Sequence, residues 1–426
     1  MNTHQTTSLL IGLAAIVLLA RLCGTLARRL GQPAVVGEVV AGIALGPTLF
    51  NGVLSDTLFP AGTRPLLSAL AAVGITVFMF IVGLEVDAAL LRGNGSLATT
   101  VSFGSILVPF GLGMILAYFL ADDYGTTDTT AFMLFMGIAM AITAFPVLAR
   151  ILTDRRMTHT TLGAMAIACA AIGDVLAWIL LAGVVAFSGP AGSDQWRMLL
   201  AVPYLLLMLF VLRPLLRRLA QRRPERLRLT PTMFACVLAG LLLSAAATEW
   251  VGLHYIFGAF LFGAILPRTG TERIRTQVND QLGQMTSILL LPVFFLVSGL
   301  QVDLSKLDIG GMSALALILL VAVGGKFVGA FVAARLNRLP VRQSAALATL
   351  MNTRGLTELI VLNVGLQLGF LGRDLYSLMV VMAVITTGMT GPLLNWILGR
   401  PKPVEAEPTP HVPEPAPGAT AVHTAA

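Results

Sequence analysis

The sequence predicts an all-α polytopic membrane protein of about thirteen transmembrane helices, built as inverted repeats with crossed, broken helices. Three observations predict it. Hydrophobic residues make up 56% of the 426-residue chain and charged residues only 12%, about half the charge of a soluble domain. Apolar segments long enough to span a bilayer recur along nearly the whole chain. Basic residues alternate strictly between rich and poor loops.

A spanning helix needs roughly 20 mostly apolar residues. Thirteen segments qualify, at about 7–27, 33–51, 66–86, 97–120, 130–151, 160–187, 197–219, 231–249, 252–267, 284–301, 311–335, 343–369 and 375–399. The positive-inside rule tests that count, because gaining or losing one helix inverts every later loop. Loops on one side carry Arg21, Arg28, Arg29, Arg92, Arg150, Arg155 and Arg156, then a cluster from Arg213 to Arg228, and further groups ending at Arg400 and Lys402. The other side holds only Arg64, Arg197, Lys306 and Arg373. The alternation places the N-terminus outside and the C-terminus in the cytoplasm, in an inner (plasma) membrane.

The basic cluster divides the segments into six, a linker and six. One repeat covers about 7–187, the linker helix about 197–219 and the second repeat about 231–399. An odd number of helices separates equivalent positions, so the repeats are inverted, a plan that puts transport sites where interrupted helices meet. The membrane domain is expected over 1–400. Residues 401–426, rich in Pro and Ala, cannot form a core and read as a disordered cytoplasmic tail.

Composition also excludes functions. The net charge of +7 sits in short loops, without the basic face and interleaved aromatics of a nucleic-acid groove. Cys23, Cys169 and Cys236 lie in apolar stretches and imply neither disulfides nor a zinc site. No nucleophile–base constellation, phosphate loop or metal cluster points to an enzyme, and no cofactor is called for.

Ionisable residues inside apolar helices are the functional signal, since each costs at least a few kcal/mol in a bilayer. Four stand out: Asp174, Lys326, Arg354 and Glu358. Asp174, in AIACAAIGDVLAWILLA, is a lone carboxylate that binds a small cation when ionised and none when protonated. Pro146 in AITAFPVLAR interrupts the preceding segment, freeing carbonyls beside the Thr143 hydroxyl as oxygen ligands for a monovalent cation. The equivalent twelfth segment, MNTRGLTELIVLNVG, has Gly355 to permit a break, with Arg354 and Glu358 on one helix face. That pair reads either as self-neutralising structure or as part of transport. Lys326, in VAVGGKFVGAF, reads as a cation offsetting helix C-terminal dipoles ahead of a titrating role. Glu38, Glu249 and His254 read as solvated at helix ends. Cation/proton exchange is therefore expected; a gated cation channel or a non-transporting membrane sensor are the alternatives.

These stretches resemble the monovalent cation:proton antiporter superfamily, in the branch of glutathione-gated potassium efflux proteins and plant cation/proton exchangers. GQPAVVGEVVAGIALGP (31–47), FMFIVGLEVD (78–87), AITAFPVLARIL, CAAIGDVLAW and HYIFGAFLFGAILP (254–267) carry the likeness, with LLPVFFLVSGL (290–300) and MNTRGLTELIVLNVG (351–365). The resemblance implies sodium or potassium exchanged for protons and a homodimer in lipid. It also implies an elevator-like core of segments 4–6 and 11–13, with dimerisation through 1–3 and 8–10. It makes Asp174 the cation and proton carboxylate, Thr143 and Pro146 the unwound crossing and Lys326 the core lysine; the residues themselves add Thr143 as a cation ligand, Ala144, Phe145, Thr353 and Gly355 to the crossing, and Arg354 and Glu358 to the charge compensation with Lys326. Where the family usually has Asp, Asn or Gln before the key aspartate, this chain has Gly173.

Overall fold

The computed structural model describes residues 3–49, 52–85, 95–125, 128–155, 157, 160–187, 200–221, 229–267, 272–305 and 307–399. The tail, part of the basic cluster (Arg222, Arg223, Arg226, Arg228), and Arg92, Arg156, Arg197, Arg268, Lys306, Arg400 and Lys402 lie outside the described residues. Among the described residues every regular element is helical. They are α1 (Thr3–Arg29), α2 (Ala34–Leu45), α3 (Val53–Leu58), α4 (Arg64–Glu85), α5 (Gly95–Tyr124), α6 (Thr129–Ala141), α7 (Phe145–Asp154) and α8 (Thr161–Phe187). Next, α9 (Ala201–Leu206) runs through a π-helical stretch, Leu207–Leu212, into α10 (Arg213–Gln221). The second half comprises α11 (Pro231–Val251), α12 (Tyr255–Ile265), α13 (Glu272–Met285), a π-helical Thr286–Leu290, α14 (Leu291–Leu300), α15 (Ile309–Leu336), α16 (Val341–Met351), α17 (Leu356–Gln367) and α18 (Arg373–Leu398).

Each predicted segment contains helix among the described residues, and nine helical runs there are long and apolar enough to cross a membrane. Ala34–Leu45 and Tyr255–Ile265 are shorter apolar helices. Leucines such as Leu18 (70% exposed) and Leu22 (67%) cover the outside of α1, as expected where lipid is the solvent. The tenth segment differs from its prediction. Its helix begins at Glu272, because the polar, amphipathic ERIRTQVNDQLGQM winds into the apolar run and carries no hydropathy signal of its own.

Local sequence sets the helix ends. The Asp128 carboxylate accepts from Thr130 N and Ala131 N at 3.0 and 3.1 Å, and that of Asp308 accepts from Gly311 N at 2.7 Å. Both meet donors a helix start leaves unpaired. Gly252, at φ 92°, stops α11 in the left-handed conformation.

The helices fall into two packing groups. α5, α6, α7 and α8 pack with α15, α16 and α18, whereas α1, α2 and α4 pack with α11, α12 and α14. Contacts between the groups are thinner and include α2 against α18 and α14 against α17. Within the first group α5 and α15 meet most extensively, and Gly104 and Gly329 sit backbone to backbone at that crossing. Small residues let membrane helices approach this closely. Gly329→Val drives carbons into the Gly104 carbonyl and should lower the melting temperature by the equivalent of at least about 1–3 kcal/mol. Gly324→Ala, on the same helix with open space around it, should leave it unchanged; fluorescence-detected size exclusion after heating compares the two.

Candidate functional site

Two helical runs are interrupted, and the two breaks lie against each other. α6 ends at Ala141, Ile142 and Ala144 are extended, and α7 restarts at Phe145. Phe145 and Pro146, expected in the unwound stretch, instead form the first turn of α7. A proline there forgoes a donor that has no helical partner and brings a φ suited to the turn. The second interruption runs from Asn352 to Gly355, between α16 and α17. Gly355 has φ 139° and ψ −120°, a conformation essentially restricted to glycine.

The two interruptions are tied together. Ala144 N donates to Thr353 O at 2.9 Å, and the Thr143 hydroxyl donates to Met351 O at 2.9 Å. The carbonyls left at the end of α6 go to cations. Arg354 donates to Ala139 O at 2.7 Å and to Met140 O at 2.6 Å, and its Nη1 reaches Glu358 Oε2 at 3.0 Å. The Lys326 ammonium donates to Ala141 O and to the Thr143 hydroxyl. Lys326, Arg354 and Glu358 are all fully buried. The carbonyls expected to be free for a transported ion are thus held by Arg354 and Lys326 at the negative end of a half-helix dipole. Thr143 differs: a hydroxyl has one hydrogen and two lone pairs. With the hydrogen on Met351 and one lone pair facing Lys326, one lone pair stays open.

Asp174 stands apart from this cluster. It lies mid-way along α8, which packs on α5, α6, α7 and α16, so its helix touches both interrupted pairs. It is 4% exposed, and neither carboxylate oxygen has a hydrogen-bond partner among the described residues. Beside it Gly173 is buried, and a Cβ there would meet nothing closer than Ile106 Cδ1 at 4.0 Å. Glu358 Oε1, Thr353 Oγ1 and Thr357 Oγ1 are likewise buried without partners. A buried carboxylate with two unmet oxygens, on a helix packed against the interruption that carries Thr143, is suited to exchanging a proton for a small cation.

His254, read from sequence as solvated at a helix end, is instead buried at 7% exposure, because it docks on a polar set, Gln367, Asn363 and Ser298, that escaped the sequence analysis. His254 Nε2 pairs with Gln367 Oε1 at 3.2 Å, Gln367 Nε2 donates to Asn363 Oδ1 at 3.2 Å, and Asn363 Nδ2 donates to Ser298 Oγ at 3.1 Å. The amides spaced i, i+4 in LNVGLQ were the available signal.

A membrane bundle with two crossed, interrupted helices and a buried carboxylate beside them defines a secondary-transporter architecture. The chain belongs to the sodium/hydrogen exchanger transmembrane family, whose profile matches residues 15–400. It is 39% identical over 411 residues to the Na(+)/H(+) antiporter NhaS4 of Synechocystis sp., covering 94% of this chain and all of that one. It is 37% identical to the Arabidopsis thaliana Cation/H(+) antiporter 20, over 90% of this chain and 48% of that protein. Against the K(+)/H(+) antiporter 1 of Saccharomyces cerevisiae identity is 33%, over 86% of this chain and 43% of the relative. The chain thus spans the whole cyanobacterial relative but about half of the plant and yeast ones. In fold it is similar to the sodium proton antiporter MjNhaP1 of Methanocaldococcus jannaschii, with a TM-score of 0.67 and 14% identity, over 93% of this chain and 98% of that one.

Proposed function

We propose that the protein is a monovalent cation/proton antiporter that loads either a proton or a cation on Asp174. The observation that carries this reading is the buried carboxylate without a partner, on the helix that packs against both interrupted pairs. Thr143 supplies a further oxygen through its open lone pair. Lys326 and Arg354 hold the carbonyl end of α6 and keep the crossing charged but compact. Family membership and the printed functions of the relatives support sodium or potassium as the exchanged ion. The protein works without a cofactor, as a homodimer in an inner or plasma membrane, with its N-terminus outside. Its thirteen spans form inverted repeats, and the group containing α5–α8 and α15–α18 moves against the other.

Dequenching of a pH-sensitive dye in proteoliposomes, with sodium, potassium and lithium added in turn, tests the reading. Cation-dependent proton movement supports it; a cation flux that continues with no counter-ion would make the protein a channel.

The exchange is electroneutral. An empty site with one titratable carboxylate carries one negative charge, and either load removes it. Gly173 adds no second carboxylate. Lys326, donating to both Ala141 O and Thr143, keeps its ammonium engaged through the cycle. A membrane potential acts on each transported charge by about 2.3 kcal/mol per 100 mV. The steady-state proton gradient should therefore not move when voltage is imposed, and a voltage-dependent gradient would show that Lys326 or a second group also carries a proton.

A further inference from the structure

The chain of side chains from His254 to Ser298 takes no part in the exchange just described, yet it crosses between the two packing groups. His254 precedes α12 and Ser298 lies on α14, both in the group built on α4. Gln367 and Asn363 lie on α17, whose neighbours include α6, α7 and α18. Tyr376 on α18 adds a further tie, donating from its hydroxyl to Ser298 O at 3.2 Å. Among the described residues, three side-chain bonds at this end join the groups: His254 to Gln367, Asn363 to Ser298 and Tyr376 to Ser298. Direct contact there is otherwise thin; Ser298, Asn363, Tyr376 and His254 are buried, whereas Gln367 lies at the exposed end of the chain of bonds.

The direction of the amides fixes the state of the imidazole. Gln367 gives its amide hydrogen to Asn363, which gives its own to Ser298, so Gln367 Oε1 accepts and His254 Nε2 carries a hydrogen. In the neutral ring Nδ1 then holds a lone pair, and that atom is buried with no partner. Protonation at Nδ1 leaves the bond to Gln367 in place and makes it charge-assisted, roughly twice as strong as a neutral one.

Few charged or titratable groups surround the ring. Tyr255 lies against it with centroids 4.1 Å apart, and Glu249 on α11 accepts from Tyr255 N at 2.9 Å, placing a carboxylate on the same turn. On α4 the ionisable groups sit at the two ends: Arg64, paired with Asp56, and Glu85. The Leu207–Leu212 stretch carries none. On α17 Glu358 is held by Arg354, and α18 begins with Arg373 and Asp374. Glu249 is the counter-charge available to an imidazolium.

We propose that His254, Gln367, Asn363 and Ser298 form a proton-operated latch between the two helical groups. Protonation of His254 tightens it and slows the movement of one group past the other. By the positive-inside pattern this end faces outside, so external acid restrains the protein at a site separate from Asp174. The slowing of transport rests on the antiporter reading; the latch itself does not.

The test has two readouts. Hydrogen–deuterium exchange of 356–367 in the full chain in nanodiscs, corrected for intrinsic rates, is compared at about pH 4.5 and 7.5, the lower value chosen because burial disfavours the charged form of the ring. Protection should be about fivefold greater in acid. His254→Gln, which retains a donor for Gln367 but cannot titrate, should abolish that difference, as should Gln367→Leu. Equal protection at both pH values in the parent, or an unchanged response in His254→Gln, would overturn the latch. Transport is the second readout: proteoliposome exchange by His254→Gln should fall less on acidification of the His254 side than exchange by the parent. Coincident pH profiles would also overturn it. An acid-tightened segment in a protein with no exchange would uphold the latch and refute the antiporter reading.

Discussion

Asp174→Asn should abolish cation/proton exchange while leaving the protein folded. Asparagine keeps the volume of the side chain but neither titrates nor offers a negative charge, so it can neither release a proton to a cation nor take one back. The structure separates this loss from a folding defect. Both oxygens of Asp174 are buried without a donor, and an ionised group in such a place costs several kcal/mol more than a neutral one. The amide removes that burden, so its melting temperature should equal or exceed the parent's. Exchange should fall at least about a hundredfold, consistent with the loss of the one group that discriminates loaded from empty. The measurement pairs dye dequenching in proteoliposomes with thermal melting on the same preparation. Near-parental exchange by a well-folded Asp174→Asn protein would remove Asp174 from the centre of the mechanism and move attention to Glu358, whose Oε1 is also buried and unpaired.

Most of the helical architecture was legible because lipid imposes simple demands: length and apolar composition for every span. The interruptions were legible from Pro146 and Gly355, since each residue type restricts the backbone. What the sequence could not show was where the backbone groups freed by those interruptions would go. Ala139, Met140 and Ala141 look like ordinary apolar helix, yet the Ala141 carbonyl receives Lys326 from a helix 185 positions on, and those of Ala139 and Met140 receive Arg354 from an interruption 215 and 214 positions on. A carbonyl has no side-chain signature, so its partner cannot be read from composition or spacing. Pro146 was misplaced for a related reason: its missing donor disrupts a helix interior but suits a first turn, and sequence alone does not say which applies. His254 was read as solvated at a helix end and Gln367 was not singled out. Their pairing across 113 positions depends on how the two halves dock.

Arg354→Met should produce the largest loss of stability of any single substitution at the crossing. The guanidinium is fully buried and holds three acceptors at once: the carbonyls of Ala139 and Met140, and Glu358 Oε2. Methionine fills much of the space and supplies no donor. Two carbonyls lose their partners and a carboxylate is left buried with no counter-charge, and breaking a buried pair from one side typically costs about 3–5 kcal/mol. The companion variants separate the two contributions. Glu358→Gln added to Arg354→Met removes the stranded charge and should recover part of the loss, while the unpaired carbonyls keep the double variant below the parent. Arg354→Lys retains the charge but lacks the planar fork that reaches three acceptors together, and should fall between parent and Arg354→Met. Melting temperatures by fluorescence-detected size exclusion decide the order. If Arg354→Met melts with the parent, the guanidinium is not what closes the end of α6. If the double variant is no more stable than Arg354→Met, the cost lies in the carbonyls, and the ion pair with Glu358 contributes nothing to holding the crossing together.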